Sequence, residues 1–355
     1  MRRIRVINLG DVPWYTSQAV YHGVAYAMDE NTPDTITLCS PTTPYVCVGL
    51  HQEVEKEVDL EYCGSAGIPV TRREVGGGAV LLDHDQVFWH CIFHESRVPS
   101  LVEDVFRLFL APPVNAYRAM GIPAVHRPVN DIQVQGRKIG GTGAASIGQA
   151  MVVVGSLMFD FNHALMARVL KVPSEKFRDK VYQSLQEYIT TIRRELGEAA
   201  PSREQAVQAL LQEVARTFDA EVYEGEPTER ERQLIAQQEQ RMQSRQWVFA
   251  RGSLPRYGVK IAEGIRVLEA SVKTPGGLVR TTVRVRDGRI EDVSISGDFF
   301  FFPAGALAEL ERSLVGAPWD EAALADHVMA FYQRHQVQAP GLTPAELARA
   351  VVAAA

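Results

Sequence analysis

The spacing of apolar side chains predicts alternating strands and helices through the first two thirds of the chain. Residues 4–9 alternate apolar and polar positions, which predicts a first strand, and residues 17–29 carry apolar side chains at helical spacing. Residues 87–93 place apolar side chains on both faces, a pattern typical of a central strand. The other strands predicted in this region span residues 35–39, 45–50, 69–71 and 151–159.

Two longer helical patterns follow the same logic. Residues 202–218 form an amphipathic pattern, and residues 101–120 form another that contains Pro112 and Pro113 in its middle. Proline lacks a backbone donor and its ring clashes with the preceding turn, so we expect this pair to divide the segment into two helices or to kink it.

The pattern changes near residue 249. A charge-dense segment, residues 229–246, predicts a solvated helix that closes a first domain. Alternating strands then begin again after a predicted turn at residues 252–255, with Asp287-Gly288 as a hairpin turn between two of them. The sequence therefore predicts two domains, residues 1–248 and 249–355.

Composition is that of an ordinary globular protein. The 355 residues are 46% apolar and 23% charged, and their formal net charge is −6. This length and apolar content are enough for a full-sized core. The chain is not basic enough to indicate nucleic-acid binding, and it has no apolar run long enough for a signal peptide or a membrane span. We expect a soluble, cytoplasmic protein that contacts neither nucleic acid nor membrane.

The four cysteines are Cys39, Cys47, Cys63 and Cys91. Each lies on or beside an apolar, strand-like run, and none has the paired short spacing of a metal site. We expect reduced and mostly buried thiols.

A glycine-rich stretch suggests a ligand-binding loop. Gly76, Gly77 and Gly78 are consecutive, so the backbone there can approach a bound molecule and present its N–H groups to an anion. Arg72 and Arg73 precede them with forked donors suited to phosphate or carboxylate. Alone, this pattern is more often that of a tight turn.

A second stretch, residues 130–141, supplies a lysine. Gln135-Gly136 predicts a hairpin turn, and Lys138 follows it. A lysine there is suited to bridging a carboxylate and an α-phosphate as the carboxylate attacks ATP. Asp131 offers a carboxylate to Mg²⁺, which usually takes one or two protein ligands, and Asn130 offers an amide. Taken singly, Lys138 also fits a solvated strand lysine, and Asp131 a turn residue.

Together the two stretches resemble the signature of the lipoate-protein ligase family, which also includes octanoyltransferases and is related to biotin-protein ligases. Its first motif is Arg-Arg, two variable residues, Gly-Gly-Gly-Ala-Val, an aromatic residue, His and Asp, matched here at Arg72, Arg73, Gly76, Gly77, Gly78, Ala79, Val80 and Asp83. Its second motif is matched at Asn130, Asp131, Ile132, Gly136, Arg137, Lys138, Ile139, Gly140 and Gly141. Gly155 and Ser156 match a third block, whereas Leu82 and Val154 stand where the family usually has histidine.

The resemblance covers nearly the whole chain and implies an α+β fold. We expect a mixed, mainly antiparallel sheet flanked by helices, as in biotin-ligase, lipoate-ligase and class II synthetase-like catalytic domains. A small α+β accessory domain follows it, in which the Gly297-Asp298 block and a run of four phenylalanines resemble the accessory domain of full-length ligases.

The resemblance also implies a function. A ligase of this family uses ATP and Mg²⁺ to form lipoyl-AMP, then passes the lipoyl or octanoyl group to a lysine of an acceptor domain, as in 2-oxoacid dehydrogenase E2 subunits and the glycine cleavage H protein. By the same resemblance, Lys138 contacts the carboxylate and the α-phosphate. Arg73 balances the carboxyl or phosphate charge of the ligand, and Asp131 binds the metal. The other implied ligand-binding residues are Arg72, Gly76, Gly77, Gly78, Ala79, Asn130, Gly140, Gly155 and Ser156.

Two alternatives stay open. A transferase of the same superfamily moves octanoyl or lipoyl groups through a thioester on its own cysteine. In transferases of this family, both positions that the nucleophilic cysteine takes correspond to residues later than Cys91. No cysteine follows Cys91, so this chain supplies neither. A non-catalytic lipoate-binding protein is compatible with the missing histidines. His51, in a Gly-x-x-Gln turn, fits either a catalytic or a merely structural histidine.

Overall fold

The computed structural model describes residues 2–251 and 265–353. Its strands are β1 (Arg2–Val12), β2 (Asp34–Pro41), β3 (Tyr45–Val48), β4 (Val70–Arg72), β5 (Val80–Leu82), β6 (Gln86–His94), β7 (Val125–Arg127), β8 (Asp131–Val134), β9 (Arg137–Gly141), β10 (Gly143–Ile147), β11 (Ala150–Met158), β12 (Ala220–Glu224), β13 (Ile265–Thr274), β14 (Gly277–Arg286) and β15 (Arg289–Gly297). Its helices are α1 (Trp14–Ala27), α2 (Val54–Glu57), α3 (Leu60–Ser65), α4 (Val102–Ala119), α5 (His163–Val169), α6 (Glu175–Tyr188), α7 (Ile192–Leu196), α8 (Arg203–Phe218), α9 (Glu229–Gln243), α10 (Arg245–Val248), α11 (Ala306–Leu314), α12 (Glu321–His335) and α13 (Pro344–Val352).

These elements form two compact units. The first consists of Met1–Cys47, Val58–Thr71 and Val80–Trp247, and the second of Val48–Glu57, Arg72–Ala79 and Val248–Ala355, each within the described residues. The second unit thus includes two segments from the first part of the chain in addition to its C-terminal part. The linear division into residues 1–248 and 249–355 stays a prediction. The turn predicted at residues 252–255 lies outside the described residues.

A six-stranded sheet is the centre of the first unit. Its strand order is β10-β11-β6-β2-β1-β12, with β1 parallel to β2 and β12 and the other pairs antiparallel. Helix α1 covers one face, where the ring of Tyr21 lies 4.7 Å from that of His90. On the other face, Phe109 of α4 and Phe218 of α8 pack against Phe93. The predicted mixed α+β fold is confirmed, and residues 87–93 do form a central strand.

One of the two outcomes predicted for Pro112 and Pro113, a division into two helices, is wrong, while the predicted kink stays a prediction. Helix α4 runs through both prolines from Val102 to Ala119 instead of dividing into two helices. Both prolines are buried, and Phe109 in the preceding turn packs 5.2 Å from Phe218. Tertiary packing of this face outweighs the local cost of the two prolines.

The second unit contains a three-stranded antiparallel sheet, β13-β14-β15. The predicted hairpin turn is confirmed, since Asp287 and Gly288 have φ values of 48° and 74°. Phe299 and Phe301 lie in the same core as Leu307 and Leu310 of α11.

Within the described ranges, none of the helices combines the length and the apolar character that crossing a membrane requires.

Candidate active site

The hairpin β8–β9 presents Lys138. Its turn residues, Gln135 and Gly136, have φ values of 49° and 82°, as the predicted two-residue hairpin turn requires. Lys138 pairs with Gln133 across the hairpin, and its carbonyl accepts a hydrogen bond from the N–H of Thr190 at 2.9 Å. The strand that carries the lysine is therefore held on both of its edges.

A β-bulge decides where the Lys138 side chain points. Gly141 pairs with Asp131 and Gly140 with Ile132, but Lys138 pairs with Gln133, so Ile139 is an extra residue in β9. In a regular strand, residues three positions apart point to opposite faces, and a bulge can re-aim a side chain. Lys138 Nζ consequently lies 2.7 Å from Asp131 Oδ1, on the face that Asp131 shares with Gly141.

The Lys138–Asp131 ion pair is accessible to solvent and ligands. The two side chains are 41% and 31% exposed, which leaves room for a phosphate or carboxylate on the ammonium and for a cation on the carboxylate. Gly141 completes this arrangement, because a Cβ there would lie 3.0 Å from Lys138 Cε and 3.2 Å from Nζ. The second motif includes Gly141, but its place beside the lysine cannot be predicted from the sequence, since only the bulge brings it there.

Asn130 closes the open end of the hairpin. Its Nδ2 donates to the carbonyl of Thr142 at 2.5 Å, and the Thr142 hydroxyl donates to the Asn130 carbonyl at 2.6 Å. These bonds fix the backbone directly before Asp131. The predicted phosphate-binding role of Asn130 stays a prediction, and the geometry favours a role in positioning Asp131.

Residues 154–156 form a half-exposed stretch within the otherwise buried strand β11, which pairs with β6 along its whole length but with β10 only as far as Val154. Backbone that a neighbouring strand leaves uncovered can contribute to a concave ligand site. The Ser156 hydroxyl lies 3.3 Å from Gln86 Oε1, and a Cβ on Gly140 would lie 3.6 Å from the Ser156 carbonyl. The structure therefore brings the lysine strand next to this stretch.

Packing explains the glycine at position 155. A Cβ there would lie only 2.3 Å from Cζ2 of Trp89, whose side chain is fully buried on the neighbouring strand. The indole Nε1 of Trp89 has no hydrogen-bond partner within the described part of the chain. The predicted ligand-binding role of Gly155 stays a prediction.

The glycine loop, residues 76–78, belongs to the second unit and folds around a guanidinium group. Arg73 Nη2 donates to the carbonyls of Gly76 and Gly78 at 2.9 and 2.8 Å. Gly77 has a φ of +90°, which favours glycine, and a Cβ on Gly76 would lie 2.9 Å from Cδ1 of Phe300. Ala79 follows this loop directly, as in the family motif.

Arg72 is fully buried and binds backbone carbonyls. Its Nη1 donates to Gly49, Leu50 and Gln52 at 3.0, 2.9 and 2.7 Å, and its Nη2 to Val248 at 3.0 Å. A guanidinium used in this way stabilises the second unit from inside. Its predicted ligand-binding role stays a prediction, while the geometry favours a structural one.

His51 is a buried, uncharged histidine. Its ring stacks on Phe299 with centroids 5.3 Å apart, and its Nδ1 has no hydrogen-bond partner among the described residues. Burial, together with the positive charges of Arg251 and Arg72, lowers the pKa of His51 to about 3. Such a ring is neutral at physiological pH, and its contacts are those of a packing residue.

The four thiols are buried. Cys39, Cys47, Cys63 and Cys91 are all buried and free of disulfides. Burial raises the pKa of the Cys63 thiol to about 11 and raises the pKa of Cys39 and of Cys91 still further. A thiol nucleophile reacts as its thiolate, so none of these three has the environment of a reactive cysteine.

Two family models match this chain. Residues 14–215 match the family model of the lipoyl protein ligase A/B catalytic domain, and residues 268–350 match that of the bacterial lipoate protein ligase C-terminus. The lipoate-protein ligase LplJ of Bacillus subtilis is 29% identical over 292 residues, 80% of this chain and 81% of its own. Octanoyltransferase LipM of Kyrpidia tusciae is 27% identical over 264 residues, 67% of this chain and 95% of its own.

Solved structures agree on the fold. A bipartite lipoate protein ligase of Thermoplasma acidophilum, described with its E2 lipoyl domain, matches 72% of this chain and 100% of its own with a TM-score of 0.65 and 23% identity. A lipoate-protein ligase A bound with ATP matches 70% of this chain and 99% of its own with a TM-score of 0.60 and 22% identity. At these identities the likeness shows the fold alone.

Proposed function

Because the chain belongs to the family of the lipoyl protein ligase A/B catalytic domain, we propose that it activates lipoate or octanoate with ATP and transfers the acyl group to a lysine of a lipoyl-acceptor domain. The observation that supports this most directly is the position of the partly exposed Lys138 ammonium. A β-bulge directs it to the face of the hairpin that carries Asp131, and its strand lies next to the half-exposed residues 154–156. A fixed point charge of this kind stabilises charge that develops on a carboxylate and a phosphate.

In the first step a carboxylate oxygen of the acid attacks the α-phosphorus of ATP. The bond from that phosphorus to the bridging oxygen breaks, pyrophosphate leaves, and acyl-AMP forms. Lys138 binds the attacking carboxylate and the α-phosphate together, so it stabilises the negative charge that builds between them.

In the second step the acceptor lysine amine attacks the acyl carbon. The carbon–oxygen bond to AMP breaks, an amide forms, and the proton of the amine passes to the leaving phosphate or to water. Excluding water from the acyl group favours this transfer over hydrolysis.

The donor groups present fit Mg²⁺ bound chiefly by substrate. Among residues 2–251 and 265–353, no cluster of three or more His, Cys, Asp or Glu side chains could hold a metal. Mg²⁺ commonly takes one or two protein carboxylates and the phosphates of a nucleotide, and the partly exposed Asp131 is such a carboxylate. Bound there, the ion would neutralise phosphate charge.

The residues of the glycine loop keep the roles that the family resemblance implies. Arg73 would balance ligand charge, and Gly76, Gly77, Gly78 and Ala79 would face the acyl chain or adenylate. Two hydrogen bonds hold the Arg73 guanidinium at this loop, so its positive charge has a fixed position there. The acceptor would be a lipoyl domain, such as that of an E2 subunit or an H protein.

The transferase alternative receives support from the octanoyltransferase relative but not from the thiols. Its acyl-enzyme requires an accessible nucleophilic cysteine, whereas all four cysteines here are buried. The alternative of a binding protein rests on Leu82 and Val154, which replace family histidines. A single assay distinguishes the ligase from both alternatives.

That assay is lipoate-dependent exchange of labelled pyrophosphate into ATP, with octanoate and biotin run in parallel. We expect exchange with lipoate or octanoate and its loss in Lys138→Ala. Lys273→Ala, which removes an exposed lysine of β13, is the matched control and should exchange as the wild type does. Binding of lipoate without exchange would contradict the ligase proposal and leave a transferase or a binding protein.

A further inference from the structure

Tyr117 of helix α4 connects the lysine strand to the half-exposed stretch of β11. Its side chain is fully buried, and its hydroxyl donates to the carbonyl of Ile139 at 3.2 Å. The same hydroxyl lies 3.5 Å from the Ser156 carbonyl and accepts a hydrogen bond from the N–H of Met158 at 3.2 Å. One phenol oxygen therefore contacts β9 and β11 from the helix that covers them.

The Ile139 carbonyl is a significant partner. Ile139 is the extra residue of the β-bulge, and the extra residue in a bulge lacks a regular place in the hydrogen-bond ladder. It also directly follows Lys138. A hydrogen bond from outside the hairpin to this carbonyl stabilises the bulged register, and the bulged register brings Lys138 to Asp131.

Burial alone does not account for this contact. A buried tyrosine needs a hydrogen-bond partner, but any backbone carbonyl would satisfy it. Burial raises the pKa of Tyr117, so the hydroxyl stays protonated and remains a donor. A phenylalanine would fill nearly the same volume, so the hydroxyl can be removed without leaving a large cavity.

We propose that Tyr117 is a positioning residue that holds the β9 bulge through the Ile139 carbonyl and so directs Lys138 towards Asp131 and the reacting acid. The catalytic part of this inference rests on the proposed function. The geometric part, that the hydroxyl keeps Lys138 beside Asp131, stands on the contacts alone.

The test compares Tyr117→Phe with Tyr332→Phe. Tyr332 also donates its hydroxyl to a backbone carbonyl, that of Leu342 at 3.3 Å, but in the second unit. In Tyr117→Phe we expect kcat for pyrophosphate exchange to fall about 10- to 100-fold, since a misplacement near 1 Å can cost that much. KM for the acid should change by less than about twofold, because Lys138 acts mainly on the transition state. Tyr332→Phe should leave both constants unchanged.

A second readout needs no catalysis. Trace acetylation with acetic anhydride, quantified by mass spectrometry, reports the reactivity of Lys138 relative to the exposed Lys176 of α6. Acetylation needs the free electron pair of the Lys138 amine, and an Nζ held 2.7 Å from Asp131 Oδ1 must leave that contact before it can attack the anhydride. The Lys138 to Lys176 ratio should therefore rise in Tyr117→Phe and not in Tyr332→Phe.

The inference requires both effects in Tyr117→Phe and neither in the control. An unchanged labelling ratio, or an equal loss of exchange in the two variants, would overturn it. If the wild type shows no exchange, the proposed function fails by itself, and the labelling ratio still decides whether Tyr117 places Lys138.

Discussion

The indole ring of Trp89 occupies the space in which any residue other than glycine at position 155 would place its Cβ, since that atom would lie 2.3 Å from Cζ2 and 2.8 Å from Cε2. Gly155 and Trp89 are direct partners in adjacent strands of the large sheet. The glycine that the family motif associates with ligand binding therefore also has a packing role.

Gly155→Ala should destabilise the protein. The added methyl group must displace a fully buried indole, and overpacking of this kind costs typically about 1–3 kcal/mol. Denaturant-induced unfolding measures the loss. The double variant Gly155→Ala, Trp89→Phe should recover part of it, because the smaller ring makes room. A Gly155→Ala protein as stable as the wild type would contradict the packing interpretation.

Local sequence signals predicted much of this fold, and long-range contacts account for what they missed. The hairpin turns at Gln135-Gly136 and Asp287-Gly288 depend on residues adjacent in sequence, and both are confirmed. The course of α4 through Pro112 and Pro113 depends on packing against α8, which begins ninety residues after Pro113. A local rule about proline cannot include that partner.

The same limit applies to the candidate site. The motif identified Lys138 and Asp131, but their spacing of seven residues in the sequence does not place an ammonium on a carboxylate. The bulge at Ile139 does so, and its partner Tyr117 lies outside the motif. The grouping of residues 48–57 and 72–79 with the C-terminal unit likewise follows from contacts remote in sequence.

Gly141→Ala should impair acid activation more than stability. The new Cβ would lie 3.0 Å from Lys138 Cε and 3.2 Å from Nζ, and the flexible end of the lysine can move aside. The fold then loses little, but Lys138 leaves its position, and we expect kcat for exchange to fall on the order of tenfold.

Gly64→Ala is the control for that variant, since nothing lies within 4 Å of a Cβ at position 64. Pyrophosphate exchange and thermal unfolding should be measured on both proteins. Equal exchange rates for the two variants would show that the space beside Lys138 is not needed.

His51 should make stability depend on pH in the acid range. Burial, with the nearby positive charges of Arg251 and Arg72, lowers its pKa in the folded protein from 6.5 to about 3. Between these values the unfolded chain binds a proton on His51 and the folded protein does not. The free energy of unfolding therefore falls as pH drops below 6.5, with a contribution of at most about 1.4 kcal/mol per pH unit.

His51→Phe removes this contribution while keeping a ring that can stack on Phe299. Unfolding by urea, measured at several pH values between 7 and 4, should show a shallower pH dependence for the variant. A slope identical to that of the wild type would mean that His51 is not buried in its neutral form.

A cysteine-free protein should retain the complete reaction if the chain is a ligase. Replacing Cys39, Cys47, Cys63 and Cys91 with alanine removes every thiol in the sequence. Adenylation followed by attack of an acceptor lysine needs none of them, whereas a transferase needs one as its acyl carrier. We expect ATP-dependent acylation of a purified lipoyl domain, measured by mass spectrometry, to continue at a rate within about threefold of the wild type. The remaining difference would come from looser packing.

The single variants serve as controls for folding, because each opens only one small cavity. Loss of acyl transfer in one well-folded single variant, with pyrophosphate exchange intact, would identify that cysteine as an acyl carrier and contradict direct transfer from the adenylate.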